Sequence, residues 1–166
     1  MTEEKFIRPS WDEYFIKIME AVAERATCGR GRCGCVITKN NRIISTGYVG
    51  APSGMPDCDD VGHLITKSTV ENDDSEELHD HCVRTLHAEQ NAIAYAARNG
   101  VAIEGATIYI RMEPCPVCAR LLIASGIKRV VCHKKYQTAD YTREMLKQAG
   151  IQLDVMIDEN IKYEKE

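Results

Sequence analysis

Two short stretches hold the residues best suited to chemistry: His87-Ala88-Glu89 and Pro114-Cys115-Pro116-Val117-Cys118. One imidazole and two thiols are the donors zinc favours. Three protein donors leave a fourth tetrahedral position to solvent, whereas a structural site closes all four. Glu89 places a carboxylate beside that position, where it can act as acid and base. Cys115 and Cys118 share a face if a helix starts there. Pro114 and Pro116 suit such a start, because a missing N–H is no loss in the first turn. His87 and Glu89 would diverge in mid-helix and converge only if the ion sits at the helix tip. At both tips the unpaired N–H groups favour anions by about 0.3–1 kcal/mol each. Backbone N–H groups around Ala88 or Cys115 are the expected donors to a developing oxyanion.

Other readings compete for the same residues. A C-x-x-C pair standing alone is a candidate redox dithiol. A zinc ribbon needs a second such pair, and Cys33-Gly34-Cys35 has the wrong spacing. A zinc-stabilised interaction module would use the metal without turnover. The order His-x-Glu, a strand, then Pro-Cys-x-x-Cys favours the catalytic site.

The elements that must position these residues follow from periodicity and punctuation. Trp11, Phe15, Ile18, Met19 and Val22 predict a helix over about 11–26, with Ser10 as N-cap. Cys35–Thr38 and Arg42–Tyr48 read as strands joined at Asn40-Asn41, since Asn tolerates positive φ. Gly50 to Pro56 is a loop. Residues from about 57 to 84 show no sustained periodicity and read as a long insertion with an acidic run at 71–77. A loop of that length needs a functional reason, and a metal clip would supply one. A helix over about 86–99 ends at Gly100, and a strand follows at 106–111. The helix opened by the Pro-Cys motif ends at Gly126. A strand at 128–133, a helix at 140–149 and a strand at 151–157 complete the pattern, with a frayed tail at about 160–166. Two opening strands followed by alternating helices and strands predict a mixed five-stranded sheet between helical layers.

Composition narrows the partners. A chain of 166 residues suits one domain, 1–166. The net charge of −4 and the absence of a basic stripe argue for a small substrate and against stable nucleic-acid binding. No apolar run is long enough for a membrane span. The N-terminal stretch has no signal core, so the expectation is cytoplasmic. Eight cysteines without a signal peptide point to metal binding or catalysis over disulfides.

The paired motifs resemble those of the cytidine and deoxycytidylate deaminase superfamily. Ala26-Thr27-Cys28, Arg42 to Tyr48, Pro52-Ser53-Gly54, His81 to Ile93 and Gly126 to Arg129 bring the likeness closest to its deoxycytidylate branch, which includes a deaminase encoded with late-competence genes. The resemblance implies a three-layer α/β/α fold and hydrolytic deamination of dCMP to dUMP. It implies His87, Cys115 and Cys118 as ligands of a catalytic zinc, with Glu89 as proton shuttle. For some members it further implies a second, structural zinc, here at Cys28, Cys58, His63 and Cys82, with His81 an alternative to Cys82. Ala88, Pro114 and Tyr136 fall at substrate-contacting positions, with a core role the equal alternative for Tyr136. A homo-hexamer is implied, together with activation by dCTP and inhibition by dTTP with Mg2+. Two positions depart from the pattern. Val49 stands where the branch has an Asn that helps hold the sugar, and Arg111 stands where it has Thr. Arg111 reads as a surface residue, with a phosphate clamp as the alternative. Cys33, Cys35 and Cys132 read as core residues. The rival substrates are cytidine, guanine, a riboflavin precursor and tRNA adenosine.

Overall fold

The computed structural model describes residues 6–69, 78–136 and 139–161. Helix α1 (Trp11–Ala23) starts where its capping residues predict. Ser10 Oγ accepts from the Glu13 N–H at 3.2 Å, and Glu13 returns the favour to the Ser10 N–H at 2.7 Å. The helix stops three residues short of the predicted end at Ala26. Strands β1 (Gly34–Lys39) and β2 (Arg42–Tyr48) pair as a hairpin. Its two-residue turn, Asn40-Asn41, has φ of 53° and 57°, the primed geometry that matches strand twist.

The segment read as a structureless insertion is folded on both sides of residues 70–77. A short helix α2 (Cys58–Val61) precedes a second hairpin, β3 (Ile65–Thr69) and β4 (Leu78–Cys82). This hairpin forms a separate two-stranded sheet, and residues 61–67 of it and its approach are exposed. Its described side chains are exposed apart from half-buried Cys82, so they carry no alternation for sequence reading to detect. The acidic run at 71–77 lies outside the described residues, as does the tail at 162–166.

Helix α3 (Ala88–Arg98), strand β5 (Thr107–Met112), helix α4 (Pro116–Ala124), strand β6 (Arg129–Tyr136), helix α5 (Asp140–Gln148) and strand β7 (Gln152–Ile161) follow in the predicted order. Strands β6 and β7 run further than predicted, to Tyr136 and Ile161. The main sheet has the order β2-β1-β5-β6-β7. Its β2-β1-β5 half is antiparallel and its β5-β6-β7 half is parallel. The sheet is therefore mixed and five-stranded, with helices on both faces.

Strand alternation sorts the core into two layers. Val36, Tyr109 and Val131 face α1 through Phe15, Ile16 and Met19. Cys35, Ile37, Ile108, Ile110, Val130 and Cys132 face the other way, with Ala92 of α3, Leu122 of α4 and Leu146 of α5. Cys35 and Cys132 are buried core thiols, as predicted, and Cys33 packs against them half-buried. Burial pushes the Cys35 and Cys132 thiols up, which leaves them unreactive.

Two close approaches fix α3 over β2. A Cβ on Gly47 would lie 2.3 Å from the Ala88 carbonyl oxygen and 2.5 Å from the Ala92 nitrogen. The Ser45 hydroxyl donates to the Ala92 carbonyl at 2.7 Å inside the contact. Only small side chains, Ala88, Ala92 and Ala96, line the buried face of α3. Among the described residues no helix is long and apolar enough to cross a membrane.

Candidate metal centre and active site

His87 is the N-cap of α3 and Cys115 the N-cap of α4, so both motifs stand at helix tips. The two tips meet beyond the C-terminal end of β5, the central strand of the main sheet. An N-cap residue has extended backbone, here φ −66° and ψ 157° for His87. That geometry turns the His87 side chain out of helical phase, so it need not diverge from Glu89 one turn position on. The His87 N–H is held by Gln90 Oε1 at 2.8 Å. Asn91 ties the same tip to the end of β2, donating from Nδ2 to the Tyr48 carbonyl at 2.7 Å. An isolated bridge between Gly50 and Leu86 adds a second tie.

The three donors converge. His87 Nδ1 lies 3.6 Å from Cys115 Sγ and 3.4 Å from Cys118 Sγ. All three donor atoms lie within 4.8 Å of one another. Nitrogen and sulfur ligands of a tetrahedral zinc sit roughly 3.6 Å apart, given the usual bond lengths. The donor set and its spacing therefore fit zinc. Electrostatics point the same way. The Cys118 thiol, then the His87 ring, hold the Cys115 thiol well below its ordinary range, so it is a thiolate ready to ligate. The bond to Cys115 correspondingly pushes Cys118 up, and its charge waits on a metal. Without a metal, Cys115 holds the His87 imidazolium up to about 9. A metal must displace that proton, so binding releases it.

Glu89 lies close enough to His87 and Cys115 for their charges to act on it, and the Cys118 thiol also acts to lower it. Burial raises its carboxyl above the ordinary range, against the attraction of His87. Ala88 is buried at the first position of α3, and Pro114 is buried directly before Cys115. Tyr136, at the end of β6, is half-buried. Val49 packs half-buried against the core. Its backbone is held twice, the N–H donating to Cys33 and the carbonyl accepting from Thr27, both at 3.0 Å. Arg111 is exposed and donates from Nη1 to the Arg32 carbonyl at 2.8 Å.

A second cluster gathers Cys28, Cys58, His63 and Cys82, all donor atoms within 4.8 Å of one another. Cys28 Sγ and His63 Nδ1 are 3.6 Å apart, and the Cys58 and Cys82 sulfurs 3.5 Å. His81 is not part of it. Four donors close a tetrahedron, the arrangement of a structural site. Burial pushes the Cys58 thiol up to about 12. Burial also raises Cys82, but backbone groups of Arg84 and Leu64, with Cys58 and His63, outweigh it and bring it down to about 6. The loops around the cluster are pinned from outside. Thr27 Oγ1 donates to Asp57 at 2.7 Å, Arg32 pairs with Asp59 at 3.2 Å, and Arg84 Nε donates to the Gly62 carbonyl at 3.1 Å.

Sequence reading missed Glu113. Its carboxylate is buried beside the motif, 1% exposed, and Arg143 of α5 grips it with two prongs of 2.6 and 2.7 Å. The Tyr136 N–H donates to it at 2.8 Å. The only signal was its place, directly before Pro114-Cys115; its partner Arg143 lies too far along the chain to be inferred. A recess of about 410 Å³ at the other end of β5 holds none of these residues. Its charged groups are already engaged, Arg129 with Asp12 and Lys39 with the Glu104 carbonyl.

Comparison with known proteins agrees with this geometry. Residues 9–134 match the family described as cytidine and deoxycytidylate deaminase zinc-binding region. ComE operon protein 2 of Bacillus subtilis is 37% identical over 155 residues, covering 93% of this chain and 76% of that protein. A deoxycytidylate deaminase of Schizosaccharomyces pombe is 38% identical over 146 residues. The alignment covers 88% of this chain but 44% of the yeast protein, so the chain spans less than half of it. A crystal structure of dCMP deaminase from the cyanophage S-TIM5, in complex with dCMP and dUMP, superposes with a TM-score of 0.70 at 25% identity. That superposition covers 91% of this chain and 100% of the phage protein.

Proposed function

The chain belongs to the cytidine and deoxycytidylate deaminase family, and from that premise we propose that it hydrolyses dCMP to dUMP and ammonia. The observation that carries the reading is the trio His87, Cys115 and Cys118 at zinc-ligand spacing with the Glu89 carboxyl beside it. We read the whole chain as one deaminase domain of the cytoplasm.

His87, Cys115 and Cys118 would hold zinc, which supplies the Lewis acidity that makes a water nucleophilic near neutral pH. Glu89 takes one proton of the attacking water and gives it to ring nitrogen 3; it then takes the proton left on the added oxygen and delivers it to the amine, which departs as ammonia while the carbonyl forms. Its raised affinity for a proton suits a group that must carry one between two atoms. The N–H groups at the tips of α3 and α4 stabilise charge developing on the new oxygen. Ala88 and Pro114 wall the ring, and Tyr136 stands at the rim. Val49 offers no hydrogen bond to a sugar hydroxyl, so selection for deoxyribose rests on shape.

Cys28, Cys58, His63 and Cys82 would hold a second zinc that ties the 57–84 segment to the end of α1. The family likeness extends the proposal to a homo-hexamer activated by dCTP and inhibited by dTTP with Mg2+. Sedimentation tests the hexamer, and rates of ammonia release from dCMP with and without each nucleotide test the effectors. The central test is zinc per chain together with ammonia release from dCMP, CMP, deoxycytidine, cytidine and guanine. The expected result is two zinc ions and dCMP as best substrate. A better rate on guanine or a free nucleoside would overturn the substrate assignment.

A further inference from the structure

Glu113 is an expensive residue to bury. Its side chain has no exposed surface, whereas that of Arg143 is 36% exposed. Replacing such a pair with apolar groups is often neutral or stabilising, so stability alone does not account for it. What the pair does do is fix geometry. Glu113 is contiguous with Pro114 and Cys115, the tip of α4. Its carboxylate accepts the Tyr136 N–H at 2.8 Å. Arg143, besides its two bonds to Glu113, donates to the Tyr136 carbonyl at 3.4 Å and to Asp140 at 2.6 Å. Both backbone polar groups of Tyr136 are thus locked to one ion pair that also holds the turn before Cys115. Tyr136 ends β6 at the C-terminal edge of the parallel strands, the edge where open α/β sheets bind ligands.

We propose that Glu113 and Arg143 are positioning residues that set Tyr136 at a fixed distance from the Cys115 turn and thereby define the width of the nucleotide site. The inference rests on the deaminase reading for its substrate. Neither residue touches the reacting atoms; they act through Tyr136. A planar two-pronged guanidinium meets this demand and an ammonium does not, so Arg143→Lys keeps the charge and loses the fork.

The test uses zinc-loaded full-length protein with Arg143→Lys, Glu113→Gln and the double variant. Arg143→Lys is expected to keep wild-type zinc per chain and a cooperative melt. Its KM for dCMP should rise about 10-fold or more, the scale seen when a supporting contact is lost, with kcat changed far less. Exchange of the Tyr136 amide should quicken in the same variant. The double variant should be no worse than the poorer single one, because both changes break one device. An unchanged KM in folded Arg143→Lys overturns the proposal. So does a loss of activity that merely follows a loss of zinc, or additive effects in the double variant. If wild-type protein releases no ammonia from dCMP, the substrate reading has failed by itself. The Tyr136 amide then still decides the clamp, and unchanged exchange in Arg143→Lys overturns it.

Discussion

At the residue scale the argument turns on Glu89. Burial raises this carboxyl above its ordinary range, with His87 opposing, and so strengthens its hold on a proton. Glu89→Gln removes the proton traffic and leaves shape and donors alone. The expected outcome is protein with wild-type zinc content, measured by metal analysis, and ammonia release reduced by about 10²–10⁴ or more. Undiminished ammonia release in this variant would take Glu89 out of the proton transfer, absence of release from zinc-loaded wild type would favour the binding module, and a metal-free active dithiol would favour redox chemistry. Cys118→Ser attacks the ligand set instead. Cys118 is fully buried at the third position of α4, so its loss should lower zinc by one ion per chain and abolish turnover.

At the element scale, the site depends on how closely α3 sits on β2. Gly47→Ala puts a methyl group against the backbone of Ala88 and Ala92, which has no flexible side chain to yield. Overpacking of this kind costs about 1–3 kcal/mol. Because the same turn of α3 carries His87 and Glu89, activity should fall further than the melting temperature suggests, and paired melts and rates check this. A different contact holds α1. Asp12 takes two bonds from Arg129 of β6, at 2.7 and 2.8 Å, and one from Tyr109 at 2.9 Å. Arg129 holds the Asp12 carboxyl below its ordinary value of 3.8, burial opposing. The stabilisation is complete above that ordinary value and disappears as pH falls through the lowered one. Melts from pH 6 to pH 2 should show an acid limb in wild type that Asp12→Asn flattens. Elements with a clear periodic face were legible beforehand: α1, the Asn-Asn hairpin, and α3 to β7 with their glycine stops. The β3–β4 hairpin was not, because it forms a separate sheet and its described side chains show no alternation of burial. The Glu113 clamp was not, because a charge pair between a strand end and a later helix leaves no local pattern.

At the scale of the whole molecule, the two donor clusters divide the labour. The trio beyond the C-terminal end of β5 offers three donors, the number a catalytic zinc site uses. The foursome joins the end of α1, α2 and the outlying hairpin, a region without a large apolar core of its own. Metal there should act mainly on stability. Cys58→Ser is expected to bind one zinc fewer and to melt several degrees lower, while retaining turnover per remaining zinc at low temperature. Metal analysis with thermal melts and rates separates the two effects. The motif residues of the trio could be picked out from spacing alone, since zinc chemistry restricts its ligands. The foursome could be assembled only through likeness to relatives, because Cys28, Cys58, His63 and Cys82 are scattered over loops and share no repeat.

The two clusters also occupy separate stretches of the polypeptide: Cys28, Cys58, His63 and Cys82 all precede His87, Cys115 and Cys118. During synthesis the ribosome therefore delivers every member of the closed foursome while Cys115 and Cys118 are still untranslated. On the two-zinc proposal, the emerging chain would seat its outlying hairpin around an ion before the proposed catalytic trio exists to compete for it.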